Sequence, residues 1–247
     1  MTQRLRADLL LVERGVFDTR ARAQAAIRAG TVTIAGWRVR APSERFERTA
    51  EIAAAPAHPY VSRGGIKLAA ALDHFGIDPR GRLCLDVGAS TGGFSDVLLA
   101  RGAAHVVAVD TGRDQLHASL RVDPRLVSLE STDIRTVSPA SLGEAPDLAV
   151  IDVSFISLTL VLPAVAALLT PRCEVVALIK PQFEVGRGGL GKGGVVRDEA
   201  ARAAAIERVR ACLSGLGFQE LGTIDSPIPG GDGNREHVIA GRRHACG

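Results

Sequence analysis

An apolar run, a glycine-rich turn and a helical pattern follow one another between Leu83 and Phe94, and no other stretch restricts the fold of this chain as strongly. The run Leu83–Val87 has the composition of a buried strand, and its fourth residue is an acid, Asp86. Glycines in the turn let a ligand approach the backbone closely, and the helix that follows directs free N–H groups towards it. The stretch therefore predicts the strand, ligand-binding loop and helix of a doubly wound α/β fold.

The acid that precedes this loop argues against a dinucleotide as the ligand. A dinucleotide fingerprint requires G-x-G-x-x-G, whereas Ser90 occupies the position of the second glycine, and the carboxylate of Asp86 would repel a pyrophosphate. An acid suits a cationic or hydroxyl-bearing ligand, and S-adenosylmethionine carries an ammonium, a sulfonium and ribose hydroxyls. A second strand, His105–Val109, leads into Asp110, the position at which this fold binds a ribose hydroxyl. We therefore expect S-adenosylmethionine as the cofactor, with another ligand of a Rossmann-like loop as the alternative.

Strands and helical stretches continue to alternate along the chain, which predicts a parallel sheet with helices on both faces. Further strands are predicted over residues 125–130, 148–152 and 175–180, and a final hairpin-like pair over 218–225 and 237–240. Such sheets bind ligands at the carboxyl ends of their strands. Polar side chains stand at or just past five of these ends, and we expect them to surround one site: Asp86, Asp110, Asp133, Asp152 and Lys180.

The first sixty residues form a separate and basic part of the chain. They contain ten arginines, no lysine and six acids, a charge of +4, whereas the remaining residues sum to −1. Helical patterns over 4–13 and 20–29 precede a hairpin signal at Ala35-Gly36, so we expect a small module of two helices and a hairpin. Arginine suits contacts with nucleic-acid phosphates, although a solvated charged surface would have the same composition.

The spacing of the cysteines indicates whether the chain has a metal site or disulfides, and its hydropathy indicates whether it has a membrane span. Cys84, Cys173, Cys212 and Cys246 are far apart and lack C-x-x-C spacing, so we expect neither a metal site nor a disulfide framework and favour the cytoplasm. The most apolar segment, residues 148–170, contains Asp152 and Pro163. A buried strand followed by a buried helix explains that segment better than a membrane span, and we expect no membrane partner.

The first part of the chain resembles the S-four domain, an RNA-binding module shared with a small-subunit ribosomal protein. The resemblance rests on Arg4-Leu5, Asp8-Leu9, Arg20-Ala21-Arg22-Ala23 and the segment Ile27–Val32. It implies that the second helix and the following loop contact structured RNA, with contacts from Arg4, Arg20, Arg22 and Arg28. The Ala- and Pro-rich segment 53–59 indicates a boundary, so we expect the RNA-binding domain over 1–58, a linker over 59–62 and a second domain over 63–247.

Four motifs of the second part resemble the Lys-Asp-Lys-Glu tetrad of the FtsJ class of ribose 2′-O-methyltransferases. They are Gly65-Ile66-Lys67-Leu68, Ile151-Asp152-Val153-Ser154-Phe155, Ile179-Lys180-Pro181-Gln182-Phe183 and Asn234-Arg235-Glu236-His237. Methyl transfer to a ribose 2′-hydroxyl needs an in-line acceptor and a base for a poorly acidic proton. The resemblance implies that Lys180 is this base, that Asp152 orients it, and that Lys67 and Glu236 complete the acceptor site.

With both parts taken together, the whole chain resembles the TlyA family of rRNA cytidine 2′-O-methyltransferases, whose members are also called haemolysin-like. This resemblance implies methylation of cytidine riboses, with ribosomal RNA or ribosomal subunits as partners. Cofactor contacts are expected from the loop, from the two acids that follow the next strands and from their neighbours: Asp86, Gly88, Ala89, Ser90, Gly92, Phe94, Asp110, Asp133 and Ile134.

Other classes of function lack the residues that their chemistry needs. An exocyclic-amine methyltransferase would carry N/D-P-P-Y/F at the fourth strand, but Asp152 is followed by Val153-Ser154-Phe155. A base-carbon methyltransferase needs a nucleophilic cysteine, commonly in Pro-Cys, and neither Cys84 nor Cys173 fits. A non-catalytic rRNA-binding assembly protein stays open as an alternative. A membrane-active haemolysin is less favoured, because its one candidate membrane segment is interrupted.

Overall fold

The computed structural model describes residues 4–186 and 190–244, and the chain divides into two compact units, residues 1–59 and 60–247. Each unit encloses apolar residues of its own. One cluster lies in the first unit, and two clusters lie on the two faces of the sheet in the second.

The N-terminal unit combines two helices with short strands. Its elements are β1 (Arg4–Arg6), α1 (Ala7–Glu13), α2 (Arg20–Ala29), β2 (Val32–Ile34), β3 (Trp37–Arg38), β4 (Arg45–Glu47) and β5 (Ile52–Ala54). Strand β1 pairs antiparallel with β4, and β2 lies between β3 and β5. The two helices and β2 enclose the core of the unit, which includes Leu10, Leu11, Ile27 and Ile34.

Local sequence signals account for most of this unit. Helix α2 begins after Thr19, whose hydroxyl accepts a hydrogen bond from the Arg22 N–H at 3.3 Å, and it ends at Gly30, which has a left-handed φ of 76°. The predicted hairpin is confirmed. The prediction of a helix over 4–13 is wrong for its first three residues, because the alternation Arg-Leu-Arg directs Leu5 to the core and lets 4–6 pair as a strand.

The second unit is built on a sheet of seven strands in the described part of the chain. The strands are β6 (Leu83–Val87), β7 (His105–Val109), β8 (Leu126–Leu129), β9 (Leu148–Ile151), β10 (Cys173–Ile179), β11 (Gln219–Asp225) and β12 (His237–Arg243). Their order is β11-β12-β10-β9-β6-β7-β8, with β6 to β10 parallel and β12 antiparallel to both neighbours. The predicted parallel sheet and the final antiparallel pair are confirmed.

Helices cover both faces of this sheet. They are α3 (Gly64–Phe75), α4 (Gly93–Ala100), α5 (Ala118–Arg121), α6 (Leu158–Leu168), α7 (Pro181–Glu184) and α8 (Glu199–Gly215). Helices α3 and α4 pack with Cys84 and Val106 on one face, whereas α6 and α8 pack with Leu85 and Val107 on the other. Strand residues alternate between two apolar layers, so the parallel strands have nearly continuous apolar sequences.

The apolar segment 148–170 contains strand β9 and helix α6, as predicted. None of the helices in the described ranges is both long enough and apolar enough to cross a membrane.

The direction in which the chain progresses across the sheet reverses next to β6. Strands β7 and β8 lie on one side of β6, and β9 lies on the other. Ligands of open α/β sheets bind outside the carboxyl ends of the strands at such a point. Val87 is the register partner of Ile151, so Gly88 and Asp152 leave the sheet side by side.

Candidate active site

The loop after β6 is held in a tight conformation by its glycines. Gly88 has a φ of 82° and Gly92 a φ of 90°, while Ser90 between them has a φ of 48°. A Cβ on Gly88 would lie 2.5 Å from the carbonyl oxygen of Asp152, a distance that no larger residue tolerates. The loop therefore lies directly against the Asp152 segment and leads into the N-terminus of α4.

Asp86 is completely buried beneath this loop. Its Oδ2 accepts hydrogen bonds from the backbone N–H of Ser95 at 2.8 Å and from the Ser95 hydroxyl at 2.7 Å. Its Oδ1 is buried without a hydrogen-bond partner among the described residues. Burial raises the pKa of this carboxyl to about 7, although both Ser95 hydrogen bonds oppose the rise. A cationic or hydrogen-bond-donating group of a ligand would satisfy the free oxygen.

Asp86 is expected to make the stability of the protein depend on pH. Its folded pKa of about 7 lies above the ordinary value of 3.8, so within that window the folded state binds more protons than the unfolded state. The free energy of unfolding therefore falls as pH rises through the window, with a contribution from this group of up to about 1.4 kcal/mol per pH unit. Asp86→Asn should flatten the decline in the urea midpoint across the same range. Glu144→Gln, which changes an exposed carboxylate to an amide, is the control and should leave the decline unchanged. A pH dependence of stability in Asp86→Asn equal to that of the wild type would contradict the raised pKa of Asp86.

The acids after β7 and β8 have different surroundings. The Asp110 carboxylate accepts the Ser90 N–H at 2.7 Å and the Gly112 N–H at 2.6 Å, which ties the end of β7 to the glycine loop. The Asp133 carboxylate instead bonds Arg135, an interaction that lowers the pKa of Asp133, and it caps the short 3₁₀ turn Ile134–Thr136. Of these two acids, only Asp110 is hydrogen-bonded to the glycine loop.

Three of the other predicted cofactor contacts are largely apolar and buried. Ala89 is 8% exposed and lies within the loop, and Phe94 packs into the apolar layer between the sheet and α3 and α4. Ile134 belongs to the layer on the other face of the sheet. Their cofactor contacts stay predictions.

The four residues of the predicted tetrad form two ion pairs. Lys180, directly after β10, brings its Nζ to 2.6 Å from Oδ1 of Asp152, which directly follows β9. Lys67 of α3 pairs with Glu236, and both side chains are buried. The Nζ of Lys180 also donates a hydrogen bond to Oγ of Ser154 at 2.9 Å. Each proposed catalytic lysine therefore has its own carboxylate.

Strand register explains why the two pairs are adjacent. Ile179 of β10 faces His237 of β12, so Lys180 and Glu236 occupy the facing positions just beyond that pair. Burial raises the pKa of Glu236, the Lys67 hydrogen bond and charge oppose the rise, and the charges of Lys180 and Asp152 act on the same carboxyl. The four side chains thus interact as one electrostatic cluster at the carboxyl edge of the parallel strands.

Small residues allow Lys67 to reach this cluster. A Cβ on Gly93 would lie 3.2 Å from the Gly65 backbone nitrogen, and a Cβ on Gly65 would lie 2.5 Å from the ring of Tyr60. Helices α3 and α4 therefore approach closely at their N-termini. A lysine in a first helical turn gains nothing from the helix dipole, and the buried carboxylate of Glu236 supplies the reason for its position.

Sequence reasoning overlooked two aromatic residues beside the cluster. Phe155 is 92% exposed with a φ of 64°, and its ring centroid lies 5.0 Å from that of Phe183. The signal was present in the spacing, because each phenylalanine stands three positions after a tetrad residue, Asp152 or Lys180. Ser95 and Ser154, which bond Asp86 and Lys180, were also overlooked.

The described residues hold no group of three or more His, Cys, Asp or Glu side chains arranged for a metal ion.

The chain is similar to several known proteins. Residues 60–243 match the FtsJ-like methyltransferase family. The 16S/23S rRNA (cytidine-2′-O)-methyltransferase TlyA of Mycobacterium tuberculosis is 46% identical over 241 residues, which cover 97% of this chain and 90% of that protein. Hemolysin A of Brachyspira hyodysenteriae is 39% identical over 235 residues, covering 95% of this chain and 98% of that protein.

A solved structure described as a hemolysin from Streptococcus thermophilus is similar over nearly the whole length. It has a TM-score of 0.76 and 41% sequence identity, and the match covers 98% of this chain and 90% of that chain. The chain therefore belongs to the FtsJ-like methyltransferase family and, within it, to the TlyA proteins.

Proposed function

We propose that this protein transfers a methyl group from S-adenosylmethionine to the 2′-hydroxyl of a cytidine ribose in ribosomal RNA. The observation that carries this proposal is the cluster of two lysine–carboxylate pairs beside the glycine loop. The name of the Mycobacterium tuberculosis relative supports the substrate, since that protein is a cytidine-2′-O-methyltransferase of 16S and 23S rRNA.

The residues around the loop fit S-adenosylmethionine, which supplies an electrophilic methyl group on a sulfonium when bound. Asp86 offers a buried acceptor oxygen to an ammonium group. Each carboxylate oxygen of Asp110 accepts one backbone N–H and retains capacity for a ribose hydroxyl. Gly88 and Gly92 remove side chains from the loop and leave its backbone accessible.

Lys180 is placed to take the proton of the acceptor hydroxyl. As the neutral amine it would receive this proton, while S-adenosylmethionine held by Asp86 and Asp110 would supply the electrophilic methyl group for the 2′-oxygen. Asp152, 2.6 Å away, stabilises the ammonium that forms, and Ser154 fixes its direction.

The Lys67–Glu236 pair is suited to holding the acceptor. An ammonium has three donors, and Glu236 is the partner of one of them in the described structure. The remaining donors are available to oxygens of the ribose or its phosphate. The exposed ring of Phe155, which lies against the half-buried ring of Phe183, adds an aromatic surface of the kind on which unpaired bases stack.

We also propose that residues 1–58 bind ribosomal RNA, that 59–62 act as the linker, and that 63–247 carry the methyltransferase site. The four expected RNA contacts are not equivalent in the structure. Arg20 pairs with Asp8 at 3.0 Å and Arg22 with Asp18 at 3.2 Å, whereas Arg4 and Arg28 line an open groove. Because the proposed substrate is ribosomal RNA, we propose that the protein acts in the cytoplasm.

Mass-spectrometric mapping of ribose methyl groups in rRNA, from cells with and without this protein, tests the function directly. We expect methylation at one or a few cytidines to be lost without the protein and restored by the wild-type chain, but not by Lys180→Ala. An unchanged methylation map, together with altered ribosomal subunit profiles, would instead support a non-catalytic assembly protein.

A further inference from the structure

An open groove of about 940 Å³ lies within the N-terminal unit. Five arginines line it, together with one acid and the tryptophan of the hairpin. The groove is defined by Arg4, Arg28, Arg38, Arg40, Arg45, Glu44 and Trp37, and is called here the arginine–tryptophan groove.

Nine of the ten arginines of this unit fall into two groups, and the tenth, Arg14, donates to the carbonyl oxygens of Arg48 and Ala50. Arg6 and Arg20 bond Asp8, Arg22 bonds Asp18, and Arg48 bonds Glu13, all with side chains outside the groove. In the groove, Arg28 bonds only the neutral Gln24, at 3.4 Å, and the others have no ion pair among the described residues: Arg4, Arg38, Arg40 and Arg45. The positive charges of the groove are therefore not compensated by the unit itself.

The single acid of the groove does not neutralise these arginines. Oε1 of Glu44 accepts the backbone N–H of Arg40 at 2.7 Å and that of Ala41 at 2.6 Å. Its function is to cap the turn before β4. Five guanidinium groups against one carboxylate leave a net charge of +4 along the groove, which favours an anionic ligand.

Trp37 adds a feature that electrostatics alone does not require. It is 76% exposed, and the residues before it, Ala35 and Gly36, have φ values of 52° and 78°, so a tight two-residue turn fixes the start of β3. Arg38 lies over the end of α2, where a Cβ on Gly30 would be 1.8 Å from its Nη2. An exposed aromatic ring that follows a tight turn and lies among guanidinium groups is typical of surfaces on which nucleic-acid bases stack.

We propose that the arginine–tryptophan groove binds a single-stranded segment of RNA, with one unpaired base stacked on Trp37 and the flanking phosphates contacted by Arg38 and Arg40. The proposal deepens the proposed function and rests on it for the choice of RNA as the partner. A duplex exposes no free base face to the ring, and a polyanion without bases would contact only the arginines. The groove therefore reads an unpaired nucleotide, whereas two other arginines of α2, Arg20 and Arg22, pair with acids of the unit.

Trp37 is the only tryptophan of the chain, so its fluorescence reports on this groove alone. The full-length protein is titrated with a single-stranded oligoribonucleotide, a duplex of the same length, heparin and vesicles of anionic lipid. We expect the single strand to quench Trp37 strongly, and the duplex and heparin to bind with little quenching. Equal quenching by the duplex or heparin, or a response to vesicles alone, would overturn the proposal.

Substitutions separate stacking from charge. Trp37→Ala should weaken single-strand binding about tenfold, the effect of losing one base–aromatic stack, whereas Trp37→Phe should retain most of the affinity and so controls for folding of the hairpin. Arg38→Ala and Arg40→Ala should each remove one phosphate contact. The slope of log affinity against log salt concentration should then become shallower by about one in each variant. Unchanged affinity in Trp37→Ala would remove the stacking site.

A catalytic variant distinguishes this proposal from the proposed function. Lys180→Ala keeps the groove intact, so its Trp37 fluorescence should be quenched by the single strand as in the wild type. If the single strand quenched Trp37 but the wild-type protein did not methylate rRNA, RNA binding by the groove would stand and the proposed activity would be refuted. Methylation without quenching would refute the groove alone.

Discussion

Replacing Lys180 with alanine is expected to slow methyl transfer to ribosomal RNA by at least about 100-fold, the lower range of what a positioned general base contributes. The substitution removes the group that accepts the hydroxyl proton, while the loop with Asp86 and Asp110 stays in place. The affinity for S-adenosylmethionine should therefore change little. Transfer of labelled methyl groups to rRNA measures the first effect, and calorimetry measures the second.

Matched variants make this prediction specific. Lys180→Met preserves most of the side-chain volume without the amine and should be as inactive as Lys180→Ala. Glu207→Ala removes an exposed charge from α8, where it pairs with Arg210, and should leave turnover unchanged. Full turnover in Lys180→Ala would exclude Lys180 as the base and leave the role of the Asp152 pair unexplained.

Replacing Lys67 with methionine is expected to lower the free energy of unfolding by about 3–5 kcal/mol, the usual cost of leaving one charge of a buried pair without its partner. The pKa of the buried Glu236 already lies above its ordinary value, and removal of Lys67 takes away the main interaction that opposes the rise. The folded variant then binds a proton that the unfolded chain releases, so its stability should fall further as pH rises above the ordinary Glu value. Urea unfolding at several pH values measures both effects.

The double variant Lys67→Met/Glu236→Gln separates stability from catalysis. It replaces a buried ion pair by neutral groups of similar size, a change that is often close to neutral for stability. We expect the urea midpoint to recover towards the wild-type value while rRNA methylation stays lost. Recovery of methylation in the double variant would show that the pair stabilises the fold and has no part in catalysis. If stability did not recover, the loss of unfolding free energy in Lys67→Met would have a cause other than the unpaired charge of Glu236.

Local patterns predicted much of this structure. The helical pattern over 20–29 gave the limits of α2, and the parallel sheet followed from apolar strands that alternate with helical segments. The meeting of Lys180 with Asp152 was expected, because the carboxyl ends of parallel strands share one edge. These features depend on contacts within a few residues or on the topology of the sheet.

Other features depend on contacts that no local pattern contains. The unpaired Oδ1 of Asp86 follows from complete burial, and the division of the arginines into paired and groove residues follows from where the acids of the unit fold. Phe155 was overlooked because an aromatic residue after an apolar strand usually indicates core, whereas here a left-handed backbone turns it outward.

The alignment of β10 with β12 has a consequence for how this chain tolerates insertions and deletions. One residue added within β12 would reverse the faces of its side chains and carry Glu236 away from Lys67, even if the sheet still formed. The neighbouring β11 already accommodates one such irregularity, because its pairing with β12 shifts between Glu220 and Gly222. Length changes among viable homologues should therefore accumulate in β11 or in the turn over 226–235, and the spacing from Glu236 to the end of β12 should stay constant.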